Sequence, residues 1–244
     1  MRLATTLSLA TLRGPVPLAK ALVALDILSE GRVIAGVGPG SSRLDYEAAG
    51  VPFEERWPRF EEAVGRLRAL LRPQTEVEGS PSHSPPPAGL SPSARQDGGI
   101  PIWIGSWGSI PGLRRVARLG DGWLASAYNT TPEEFTTTLG SLSEELERRG
   151  RSADAFPHAL VTMWAWVTDD RAEADRMIAD VLAPIVRRDP AELRGRICVG
   201  SAEECADLLS RYAQAGCRQV QFWTLGDERR QIERLAGEVI PRIP

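Results

Sequence analysis

The chain has 244 residues, 42% of them hydrophobic, and a formal net charge of -3. That length buries a full core as a single domain spanning 1–244, and the slight acidity offers no basic footprint for nucleic acid. No apolar run reaches the roughly 18 residues that a membrane span needs. The start, MRLATTLSLATLRGP, lacks the long apolar core and cleavage site of a signal peptide, so a cytoplasmic protein is expected.

In chain order, strands alternate with helices. Leu3 to Ala10 reads as a strand and Pro15 to Ser29 as a helix, with Leu18, Leu22, Leu25 and Leu28 at helical spacing. Arg32 to Val37 is a buried strand ending at Gly38-Pro39-Gly40, and Glu54 to Leu71 is an amphipathic helix. Residues 74–99 are rich in Pro, Ser and Gly and are expected to form a mobile surface excursion. A strand at Ile100 to Ile104 and a helix around Leu113 to Leu119 follow, then a strand at Asp121 to Ser126 and a helix at Pro132 to Arg149. Leu160 to Val167 is an apolar strand. Helical patterns cover Asp170 to Arg187 and Ala202 to Ala215, the second opened by a capping box of Ser201 and Glu204. A strand at Gln219 to Leu225 and a helix at Glu228 to Ile240 close the series of six strands.

Several chemistries are disfavoured by composition. Cys198, Cys205 and Cys217 show no CxxC spacing and no neighbouring His, so neither a zinc site nor a disulfide framework is expected. The two histidines, His83 and His158, have no recognisable catalytic partner, and no GxSxG elbow is present.

The most informative stretch runs from Ile100 to Trp123. A strand stops at Gly105-Ser106-Trp107-Gly108-Ser109, and a helix begins at once. Glycines admit a ligand close to the backbone, first-turn N–H groups lack internal partners, and the helix dipole favours negative charge, so this loop is a candidate phosphate site. Alternating strands and helices imply a parallel sheet, either an open doubly wound sheet or a closed barrel. Gly38-Pro39-Gly40 is followed by Arg43 where a Rossmann fingerprint needs its third glycine, whereas a late phosphate loop is a recurring barrel feature. The residue pattern therefore favours an α/β barrel.

Four segments in order resemble the luciferase-like monooxygenase superfamily, in its branch of F420-dependent oxidoreductases. They are LAKALVALDILSEGRVIAGVGPG, DYEAAGVPFEERWPRFEEAVGRLRAL, IPIWIGSW with RRVARLGDGW, and GSAEECADLLSRYAQAGCRQVQFW. The resemblance implies a (β/α)8 TIM-barrel-like fold holding a flavin or deazaflavin, here with about six parallel strands, since the first strand is similar to the family's third and the two opening βα units are expected to be absent. It places Thr5, Thr6 and Leu7 behind the tricyclic ring, with Thr6-Leu7 as a candidate non-prolyl cis peptide. It places Gly38, Pro39, Gly40 and Ser41 at the ribityl and tail region, and Gly105, Ser106, Trp107, Gly108 and Ser109 on the phosphate.

Beside these, Asp45-Tyr46 is a candidate source of a pocket hydroxyl, and Arg114 or Arg115 a candidate phosphate contact. Asp121, Gly122 and Trp123 are expected to serve packing and turn geometry. The implied activity is hydride transfer between coenzyme F420 and a small-molecule substrate, with no catalytic proton donor identified. Two alternatives stay open: an FMN-dependent monooxygenase, and a truncated, non-catalytic barrel acting in binding or as a structural oligomer. Family habit and an open barrel edge both point to a homo-oligomer.

Overall fold

The computed structural model describes residues 2–72 and 91–243, so 74–90 of the expected surface excursion, with His83, lie outside the described residues. The chain divides into two compact units, Met1–Gly105 with Arg118–Gly122, and Ser106–Ala117 with Trp123–Pro244. Among the described residues six strands have three residues or more, the number expected, and two further strands have only two residues each.

In the first unit, β1 (Leu3–Ala4) and β2 (Ser8–Leu9) both run parallel to β3 (Val33–Gly38). The expected strand from Leu3 to Ala10 is thus broken at Thr5–Leu7, and Ala10 already opens a short helix, α1 (Ala10–Arg13). On its other side β3 pairs in parallel with β4 (Ile102–Ser106), with Ala35 opposite Ile102 and Val37 opposite Ile104. Helix α2 (Pro15–Leu28) starts on a proline at its first turn, where a missing N–H costs nothing. It buries Leu18 and Leu22, while α4 (Arg56–Leu71) buries Phe60, Val64 and Leu67. A further helix, α3 (Arg43–Ala48), fills a stretch for which no element was expected; the Ser42 hydroxyl caps it by accepting from Asp45 N at 3.3 Å.

One buried carboxylate organises this unit. Asp26, on the inner side of α2, accepts from the N–H of Arg95 at 2.8 Å and of Gln96 at 3.3 Å, from Gln96 Nε2 at 2.8 Å and from Val33 N at 3.4 Å. A carboxylate without such donors would be costly inside a protein. With them it ties the described end of the excursion to the start of β3.

In the second unit, β5 (Gly122–Ser126) lies parallel to β6 (His158–Val167), which also carries β7 (Cys198–Gly200) and β8 (Val220–Thr224) in parallel register. β7 falls in no expected strand, because three residues are too few to show a period. Helix α5 (Ile110–Leu119) follows the glycine-serine loop, and α6 (Pro132–Glu147) opens with a Thr131/Glu134 capping box. The expected helix from Asp170 to Arg187 is α7 (Arg171–Arg176), a π-helical stretch (Met177–Leu182) and α8 (Ala183–Val186). After α9 (Pro190–Leu193), α10 (Ala202–Gln214) carries the capping box read from Ser201 and Glu204, and α11 (Glu228–Arg234) runs on into a π-helical turn. Trp123 stacks on Phe135 with ring centroids 5.4 Å apart, and Tyr212 meets Phe135 edge-on, which together form an aromatic centre for this unit. Among the described residues no helix is long and apolar enough to cross a membrane.

Candidate functional site

The Thr6–Leu7 peptide is cis. Thr5 Oγ1 donates to Gly36 O at 2.7 Å, pinning the break between β1 and β2 onto the middle of β3. The Leu7 side chain then lies against two glycines on neighbouring strands. A Cβ on Gly38 would stand 2.8 Å from Leu7 Cδ1, and a Cβ on Gly105 would collide with the same atom. These glycines admit the leucine, so their small size is already used by the chain itself.

The turn after β3 is closed in the same way. Gly40 has φ of 86°, and its open side is taken by Leu9 and Tyr46. The Tyr46 hydroxyl donates to Pro39 O, and the tyrosine is fully buried. It therefore serves this turn, which corrects the expectation of a hydroxyl offered by Asp45-Tyr46 to a pocket. Ser41 is exposed.

The loop from Ser106 to Ser109 is built differently. Ser106 Oγ accepts from Gly108 N at 3.3 Å and Ser109 Oγ accepts from Gly112 N at 3.4 Å, so each hydroxyl still has a proton to donate. Gly112 sits directly beneath them; a Cβ there would strike Ser106 Oγ and stand 3.1 Å from Ser109 Oγ. Gly108 has φ of 94°, a left-handed geometry suited to glycine. Pro111 has no N–H, so the orphan amide at the start of α5 is that of Ile110, alongside the two hydroxyls. Trp107 projects beside them, 60% exposed.

Arg114 is not directed to this loop. Its Nε donates to Glu145 Oε1 at 3.2 Å, and Arg148 and Arg149 bind the same carboxylate at 2.6 and 2.8 Å. Arg149 chiefly, with Arg114 and Arg148, holds the Glu145 carboxyl below the usual carboxylate range against the penalty of burial.

Asp121 and Gly122 have the structural roles expected. Asp121 takes a two-pronged hydrogen bond from Arg68 Nη1 at 2.9 and 3.0 Å and accepts from Ile102 N at 2.8 Å. Gly122 lies under the Trp103 indole, where a Cβ would be 2.5 Å from Cδ2. In the second unit, Trp123 Nε1 donates to Ser106 O at 3.1 Å and so buttresses the loop from behind.

Two features go beyond what sequence reasoning gave. The first is Trp164, Trp166 and Trp223, read from their strands as core or pocket wall: Trp164 and Trp166 stand on one side of β6 with buried indole N–H groups that have no hydrogen-bond partner, and Trp164 meets Trp223 edge-on at 5.1 Å. Alternation on the strand was the available signal, but it could not show where the N–H groups point. The second is a polar relay from Ser126 through Asn129 to Arg188, whose members are separated by up to 62 residues. No local pattern announces it.

Residues 1–195 match the family model described as luciferase-like monooxygenase. The chain belongs to that family. It is 27% identical over 215 residues to 5,10-methylenetetrahydromethanopterin reductase of Methanopyrus kandleri, covering 82% of this chain and 60% of the reductase. It is 24% identical to F420-dependent glucose-6-phosphate dehydrogenase of Mycobacterium tuberculosis, over 94% of this chain and 74% of that enzyme. The chain thus spans three-fifths of the reductase's length and about three-quarters of the dehydrogenase's. Among solved structures, monooxygenase RslO1 from Streptomyces bottropensis superimposes with a TM-score of 0.80 at 18% identity, covering 100% of this chain and 79% of that one. The fold is accordingly the α/β, TIM-barrel-like fold of luciferase-like proteins.

Proposed function

We propose that this family member is an F420-dependent oxidoreductase acting on a small organic substrate. The observation that carries the reading is the Ser106–Ser109 loop, where two hydroxyls converge over Gly112 at the start of α5. This donor set fits a phosphate: it is neutral, compact, free of carboxylates of its own and placed at the positive end of a ten-residue helix. The F420-dependent relative that aligns with 94% of the chain supports the choice of ring.

In this reading F420, when bound, supplies or accepts the hydride. The protein contributes position. Ser106 and Ser109 donate to the phosphate, Gly108 makes the left-handed turn of the loop, Trp107 flanks it, and Trp123 Nε1 fixes the loop through Ser106 O. Thr5, Thr6 and Leu7 are assigned to the back of the ring, with Gly105 admitting Leu7; Gly38, Pro39, Gly40 and Ser41 are assigned to border the ribityl region, where Ser41 is the member left to offer a polar group, since Leu7, Leu9 and Tyr46 occupy the rest of the turn. A homo-oligomeric, cytoplasmic enzyme belongs to the same proposal.

The similarity to monooxygenase RslO1 favours a second reading, an FMN-dependent monooxygenase that uses the same phosphate loop. Separate fluorescence titrations with F420 and with FMN distinguish the two. Saturable binding of F420 is expected, weakened about ten-fold or more when the Ser106→Ala and Ser109→Ala substitutions remove two charge-assisted hydrogen bonds. Binding of FMN alone would transfer the proposal to the second reading, and binding of neither would end both.

A further inference from the structure

The donors at the Ser106–Ser109 loop differ from an ordinary phosphate site in their charge. They are two hydroxyls and the amide of Ile110, all neutral. The hydroxyls hydrogen-bond only to amides of the same loop and helix, so no arginine or lysine stands among their partners.

The cations of α5 are engaged elsewhere. Arg114 donates to Glu145 Oε1 at 3.2 Å, on a nearly buried carboxylate that also holds Arg148 and Arg149. Arg118 is paired with Glu61, and Arg115 is not free either. What positive charge the loop has is therefore that of the helix N-terminus, about half an elementary charge.

That shortage of charge discriminates between phosphates. Attraction to a fixed partial charge grows in proportion to the charge of the ligand, whereas the cost of withdrawing an ion from water grows as its square. A second negative charge doubles the attraction and raises the desolvation cost about four-fold, with no cation to offset it. A phosphomonoester loses its second proton near pH 6 and is largely a dianion above neutrality. A phosphodiester has no second proton to lose and stays a monoanion.

We propose that the Ser106–Ser109 loop selects a phosphodiester monoanion over a phosphomonoester dianion. The selection favours F420, whose phosphate is a diester, over FMN, whose phosphate is a monoester. That the ligand is a redox cofactor rests on the oxidoreductase reading; the charge it must carry rests on the donor set.

The test uses the full chain and four ligands at constant ionic strength. They are riboflavin 5′-phosphate, its methyl ester, and the same two phosphates on the deazaflavin ring of F420. Ring fluorescence gives the affinities. At pH 8 the methyl ester is expected to bind about ten- to a hundred-fold more tightly than the monoester of the same ring, the upper limit being set by how little monoester is still a monoanion there. At pH 5 the gap should close to about two-fold or less. Titration of the ring or the protein cancels, because each ratio compares one ring with itself. Trp107→Arg adds a guanidinium at a position that is 60% exposed. It should narrow the gap at pH 8 about ten-fold while circular dichroism stays that of the parent.

Equal affinities at pH 8 would overturn the proposal, and a gap that persists at pH 5 would show that the methyl group, and not the charge, is read. An unchanged gap in Trp107→Arg would overturn the electrostatic cause. F420 binding without any of the four ligands would place the affinity elsewhere in the tail and overturn the selection as well. In each of these outcomes a ring still binds and the oxidoreductase reading stands. Binding of none of the four, nor of F420, would end both.

Discussion

Two glycine-rich turns follow strands in this chain, and the structure uses them in different ways. At Gly38–Ser41 the protein fills the space with its own side chains: Leu7 lies on Gly38, Leu9 and Tyr46 close on Gly40, and the Tyr46 hydroxyl satisfies Pro39 O. At Ser106–Ser109 the small residues instead gather hydroxyls over the first turn of a ten-residue helix. Glycine alone therefore does not mark a ligand site. Both turns use their glycine for packing, Gly108 against Thr138 as Gly40 against Leu9 and Tyr46; what separates them is that the second gathers two serine hydroxyls at a helix start.

The largest effect expected from breaking this contrast comes at Gly105, whose place under Leu7 belongs to the filled kind of packing. Gly105→Ala forces its new methyl against Leu7 Cδ1, and overpacking of this sort costs about 1–3 kcal/mol. Leu7→Ala should relieve the clash, so that in urea denaturation the double variant is more stable than the sum of the single losses implies, by about 1 kcal/mol or more. Strict additivity would show that Leu7 does not rest on this glycine.

Much of this contrast was legible in the sequence. The strand, glycine-serine loop and helix between Ile100 and Leu119 could be read because hydrophobic period and small residues are local signals, as was the capping box at Ser201 and Glu204. The filling of Gly38 and Gly40 could not, since Leu7 and Tyr46 reach these positions only after β2, β3 and α3 have formed. The Asp26 network escaped for the same reason: its donors at Arg95 and Gln96 lie about 70 residues away, and an aspartate in an apolar helix carries no mark of its partners. β7 and α3 were missed because three and six residues are too short for periodicity to accumulate.

A smaller effect should sharpen the open side of the comparison. Glu145, on α6, ties that helix to α5 through Arg114 and holds its own C-terminal end through Arg148 and Arg149, and its carboxyl is held below the ordinary range. A depressed carboxylate pKa gives stability that is complete above the unfolded value, near 4.3, and is lost as pH falls through the folded value. Glu145→Gln should therefore lower the melting temperature at pH 7, and the gap to the parent should narrow as the pH is taken below about 4. A gap that is constant with pH would mean that shape, and not charge, makes the contact.

The smallest effects belong to the filled turn and test its separation from ligand binding. Tyr46→Phe removes the hydrogen bond to Pro39 O and leaves a carbonyl short of its donor, at a cost of about 1 kcal/mol in urea denaturation. Ser41→Ala removes only an exposed hydroxyl and should leave stability within about 0.5 kcal/mol of the parent. If the turn is packing alone, neither change alters F420 affinity, although Tyr46→Phe destabilises the fold. A loss of affinity in Ser41→Ala at unchanged stability would instead place a ligand contact at Ser41, as the family resemblance implies, and would mean that the turn closed by Tyr46 still presents one polar group to the cofactor.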